Sequence, residues 1–66
     1  STQTYIGVLM MITGQYLVAC PATNEREIVY GLDRAVDVCL SMHNESGEYA
    51  YVEDYLGHTP FQYGDL

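Results

Sequence analysis

Apolar positions recur along the chain with two different periods, and the switch between them predicts the elements. Residues 4–12 read TYIGVLMMI and residues 16–20 read YLVAC. Both runs are apolar, partly β-branched and short for a helix. Thr13, Gly14 and Gln15 lie between them as a turn, so the two runs predict a β-hairpin. Apolar residues on both faces suit the interior of a sheet. Gly7 marks a bulge or a close backbone approach. Pro21 ends the second run, because it has no N–H to give the ladder. Ala22, Thr23 and Asn24 then form a loop.

A helical period follows. Leu32, Ala35, Val36, Cys39 and Leu40 fall at i, i+3, i+4, i+7 and i+8, with Asp33, Arg34, Asp37 and Ser41 on the opposite side. The start of this helix is open to two readings. In one, Ile28 and Val29 extend the stripe and Asn24 with Glu27 forms a capping box, giving a single helix over 25–43. In the other, residues 26–30 are a strand, Gly31 is a turn and Asp33 is the helix cap. Gly31 inside a helix costs about 1 kcal/mol relative to Ala. Ile28, Val29 and Tyr30 are good strand formers. Both points tilt the reading toward strand followed by helix. Asn44 to Gly47 carry turn chemistry and close the helix.

Strict alternation returns in residues 48–56, EYAYVEDYL. Tyr49, Tyr51, Glu53 and Tyr55 share one face, and Ala50, Val52, Asp54 and Leu56 the other. Gly57 and Pro60 break the pattern, and Phe61 and Tyr63 are positioned to anchor the tail. The order β-β-(β)-α-β predicts an α+β fold: a small antiparallel sheet of three to four strands with one amphipathic helix packed across it. Residues 1–66 form one domain, since a chain this short buries only roughly 60% of its unfolded surface around a single core.

Charge changes the picture more than size does. The chain has nine carboxylates against Arg26 and Arg34, no lysine, and a formal charge of −7. Such a domain repels itself and repels phosphate backbones. Direct nucleic-acid binding and attraction to an anionic membrane are therefore disfavoured, and a basic partner is favoured. Residues 5–12 lack the basic flank and cleavage site of a secretory signal, and they fall short of the roughly 20 residues needed to span a bilayer. The expected compartment is a cytoplasm. Cys20 and Cys39 sit among apolar residues, which predicts buried free thiols rather than a bridge.

No constellation for catalysis emerges. A reactive thiolate needs an electropositive, partly exposed setting, which two arginines do not supply. His43 at the helix end and His58 in a loop belong to no triad spacing. The chain has no zinc spacing, no calcium loop and no glycine-rich phosphate loop. The expectation is no catalytic residue, no metal and no cofactor. What remains is an acidic surface able to occupy a protein's nucleic-acid-binding groove. Asp33 and Asp37 lie about 5–6 Å apart on one helix face. With Glu45 they predict a row along the exposed helix edge. Glu48, Glu53 and Asp54, beside Tyr51, predict a second patch on the strand. The Tyr49, Tyr51 and Tyr55 row serves either cross-strand packing or a protein contact.

The tiny single domain, the mixed α/β order and the excess of Glu25, Glu27, Asp33, Asp37, Glu45, Glu48, Glu53 and Asp54 resemble the small acidic anti-CRISPR inhibitors of bacteriophages. The resemblance is one of size, charge and architecture, and no motif carries it. It implies a stoichiometric inhibitor that mimics DNA in the host cytoplasm. The implied partner is a basic nucleic-acid-binding host protein, a subunit of a type I CRISPR effector complex. The rival expectation is a small interaction module that dimerises through its tyrosine-rich strand face or a free sheet edge. The chain is accordingly expected as a monomer or a homodimer.

Overall fold

The computed structural model describes residues 14–65. Its elements are β1 (Gln15–Cys20), β2 (Glu25–Tyr30), α1 (Leu32–Ser46), β3 (Ala50–Glu53) and β4 (Phe61–Tyr63). The strands form one antiparallel sheet in the order β2-β1-β3-β4, and α1 packs across one face. This is the α+β arrangement that the periodicities predict. The hairpin expected between residues 4–12 and 16–20 lies partly outside the described residues, as does the Gly7 bulge. Within them, the hairpin partner of β1 is β2.

β1 is interior because it is apolar on both faces. Val18 and Cys20 are fully buried beneath the helix, and Ala19, on the other face, is buried between Arg26 and Tyr51 on the neighbouring strands. Cys20 and Glu25 face each other across a four-residue turn. Within it the Thr23 N–H donates to the Cys20 carbonyl and the Asn24 N–H to the Pro21 carbonyl, both at 3.2 Å. Asn24 has φ 61°, a left-handed conformation that Asn tolerates better than most residues. Asn24 is therefore a turn residue, and the capping box with Glu27 does not form.

Residues 26–30 belong to β2, and Gly31 swings the chain from sheet to helix. Its φ of 93° and ψ of 133° suit a residue without Cβ. Its N–H donates to the Gly14 carbonyl at 3.0 Å, and its carbonyl accepts from the Ala35 N–H at 3.0 Å. Gly31 thus holds the cap position without a side-chain hydrogen bond. Asp33, expected there, lies in the first turn, where its charge still complements the helix dipole. The helix runs past residue 43 to Ser46, and Gly47 (φ 74°) ends it by donating to the His43 carbonyl at 2.6 Å.

The face that α1 buries is rotated from the expected one. Ala35, Cys39 and Met42 are buried, Val36, Val38 and Leu40 are half-buried, and Leu32 is 40% exposed. Opposite lie Val18, Val29, Ala50 and Val52. Small side chains on both surfaces allow close approach, so bulk did not mark the contact line. Val18 and Val52 face each other across β1 and β3 at the centre of this core.

The alternating stretch at 48–56 is shorter than its pattern. The Asp54 carboxylate accepts N–H bonds from Leu56 at 2.9 Å and His58 at 2.8 Å, and its own N–H donates to the His58 carbonyl at 2.9 Å. The chain curls there, so Tyr55 and Leu56 leave the strand. Ala50 and Val52 share one face as expected and meet the helix, while Tyr51 and Glu53 face away. The tail does anchor, as β4: Phe61 pairs with Val52 and packs on the core. Tyr63 meets the His43 ring edge-on at 4.8 Å, and His43 Nδ1 donates to the Glu48 carbonyl at 2.8 Å. His43 thus pins the helix end to both neighbouring segments.

Candidate functional site

Register decides which acidic groups meet. In β2, Glu25 and Glu27 pair with the core residues Cys20 and Val18, which puts them on the helix side of the sheet. Arg26, Ile28 and Tyr30 therefore take the open side. α1 packs chiefly over β1. Its flank toward β2 carries Asp37, Ser41 and Glu45, spaced four apart on one ridge. That flank stands beside Glu25 and Glu27, and with Val38 and Met42 these residues line an open trough.

Four carboxylates from two elements thus share one concave strip. All four residues are exposed. Among the described residues, the ion pair present joins His58 Nδ1 to Asp54 Oδ2 at 3.8 Å, far from this strip in the fold. Neither arginine neutralises the trough. Nor do the carboxylates converge: among the described residues, no three His, Cys, Asp or Glu groups gather closely enough to hold a metal ion. They form a spaced array instead. Glu25 and Glu27 are separated by about 6.6 Å along the strand, and Asp37 and Glu45 by about 12 Å along the helix. Such an array suits a row of cationic side chains better than a single ion.

The residues expected at the site divide among three places. Asp37 and Glu45 line the trough, and Asp33, also exposed, extends their row one turn toward the helix start. Glu53 and Asp54 lie on the open side of the sheet, around a second depression shared with Leu17, Ile28 and Tyr55. Tyr51 is also on that side, half-buried and stacked on Tyr49 with ring centres 6.0 Å apart. Asp54 is occupied in holding its own loop. Glu48 sits at the α1–β3 turn, beside Pro21, Tyr49 and Asp65. The strand patch and the helix row are therefore separate surfaces. Glu25 and Glu27 were the residues missing from the expected site. Their signal was the alternation in EREIVY, which becomes readable only once that segment is taken as a strand.

Cys20 and Cys39 are free and fully buried. Side-chain hydrogen bonding with Thr23, and then with Ser46, lowers the Cys20 thiol from its ordinary range. Burial, reinforced by neighbouring Cys20, pushes Cys39 up. Ser46 also donates to the Met42 carbonyl at 2.7 Å and lies 3.6 Å from Cys20 Sγ, tying the helix end to β1.

No helix among the described residues is long and apolar enough to cross a membrane. Compared with known proteins, the chain matches no family model, no curated protein and no solved structure.

Proposed function

We propose that this protein is a stoichiometric inhibitor that occupies the nucleic-acid-binding surface of a basic host protein, acting as a DNA mimic in the manner of the anti-CRISPR proteins it resembles. The partner on this reading is a subunit of a type I CRISPR effector complex in the host cytoplasm, and the protein binds rather than catalyses. The observation that carries the proposal is the trough of Glu25, Glu27, Asp37 and Glu45, which no cation among the described residues neutralises. A rigid sheet and helix fix the backbone positions from which these charges project, so little backbone ordering is needed on binding. Asp33 lengthens the row. A cationic groove meeting this surface pairs with its carboxylates in place of the phosphates of DNA.

The test is a gel shift with a purified type I effector complex and its target duplex. Added protein should abolish the shifted band near one equivalent, and the inhibition should weaken steeply with salt. An unchanged band at saturating protein for every effector tried would end the proposal.

A further inference from the structure

We propose that two copies of this chain pair through β2, antiparallel and in a register centred on Ile28, to make one continuous eight-stranded sheet. β2 is an edge strand of six residues, and among the described residues nothing pairs with its outer side. The opposite edge, β4, has only three residues. Short edges are one way proteins prevent strand addition, and β2 does not use it.

The hydrogen-bonding direction follows from the ladder. The Gly31 N–H bonds to Gly14 across β1, so residues 31, 29, 27 and 25 point their backbone groups inward. Arg26, Ile28 and Tyr30 point theirs outward. Their side chains also share the open face, with Ile28 49% and Tyr30 53% exposed. Centring a two-fold axis on Ile28 makes every outward residue a hydrogen-bonded partner of another. Ile28 meets its own copy, and each Arg26 lies opposite the other chain's Tyr30. That gives an apolar pair flanked by two cation–π pairs. On the helix side, Glu27 falls opposite Val29 and Glu25 opposite Gly31, so no like charges are directly opposed. Shifting the register by two residues either way loses this: one shift sets Glu27 against Glu27, and the other sets Ile28 against Tyr30 and leaves Arg26 opposite Leu32, without an aromatic partner.

Charge selects a second copy as the occupant at this strand and disfavours it elsewhere. Most of the surface of a −7 molecule repels its twin. The open side of β2 instead carries one of the two cations, facing an aromatic ring. The remaining repulsion lies on the helix side, where the two acidic troughs come side by side, and it includes the diagonal pair of Glu27 side chains at about 7–8 Å. Salt screens that term, so dimerisation strengthens as salt rises.

Sedimentation equilibrium on the full chain from low to high salt, together with cysteine cross-linking, tests this. The expected result is a dimer whose dissociation constant falls with salt and rises on the order of tenfold or more, equivalent to about 1.4 kcal/mol or more, in Ile28→Lys. Because Ile28 is half exposed, the variant should keep the native circular dichroism spectrum. Under mild oxidation Ile28→Cys should link to itself, as paired Cα atoms about 5.5 Å apart allow. Arg26→Cys and Tyr30→Cys should not. A monomer at all concentrations, as would follow if another part of the chain covers this edge, overturns the proposal. So does a dimer indifferent to Ile28→Lys, or self-linking at 26 or 30 in preference to 28.

Discussion

The two faces of β2 carry opposite chemistry. The helix side presents Glu25 and Glu27 beside Asp37 and Glu45. The open side, one residue out of phase, presents Arg26, Ile28 and Tyr30. A strand exposes alternate residues to opposite environments, so six residues can build an anionic strip and an apolar, cationic one back to back. The difference shows that net charge, taken alone, misdescribes this chain. Four of its nine carboxylates gather where helix and strand meet, and Ile28 and Tyr30 lie exposed on the reverse.

The sharpest way to break that contrast is to reverse charges on one side only. Glu27→Lys with Asp37→Lys should weaken inhibition of a type I effector on the order of a hundredfold, about 2.8 kcal/mol at 1.4 kcal/mol per decade. Ile28→Lys should leave the affinity per chain nearly unchanged. Titrating both variants in the gel shift checks this, and equal losses from the two would remove the distinction between the faces.

A core change should disturb both faces together. Val52→Ala deletes two buried methyl groups from the pair with Val18 and should cost about 2 kcal/mol. That is a large share of the roughly 3–10 kcal/mol expected for a chain of this length. Urea denaturation gives the value, and a loss under about 0.5 kcal/mol would mean that this core is not where the strands are held.

Gly31 joins β2 to α1 and so aligns the carboxylates of the trough. Gly31→Ala forces a Cβ into positive φ and should destabilise by about 1–3 kcal/mol, although the space around it is open. Thermal unfolding beside Gly14→Ala would separate backbone strain at this junction from a general glycine effect.

The smallest effects concern charge and thiols. Glu27→Gln relieves like-charge repulsion in the trough, so the melting midpoint should rise slightly at low salt, and the gain should vanish at high salt. Cys39, whose folded pKa is raised, contributes stability that is complete below the ordinary thiol pKa and lost as pH climbs through the folded value. Cys20, whose folded pKa is lowered, contributes with the opposite sign. Denaturation of Cys39→Ala against wild type should show the difference between them shrinking above about pH 8.5. A difference constant to pH 10 would deny Cys39 its buried setting.

Periodicity alone determined the fold class, the alternating faces of β3, the interior place of β1 and the break after Cys20, because each depends on residues near one another in sequence. Gly31 favoured the strand-then-helix reading for the same local reason. Tertiary contact decided the rest. It selected Ala35, Cys39 and Met42 over the larger Leu32 as the buried stripe, because helix–sheet distance is set by both surfaces. It drew Asp54 out of the strand, because a carboxylate that accepts two backbone N–H bonds curls its own chain. It also separated Glu53 from Asp37 and brought Glu25 and Glu27 beside Asp37 and Glu45. Charge and helix spacing were written in the residues, but which carboxylates share a surface depends on strand register and on where the helix lies, and neither is a property of a single segment.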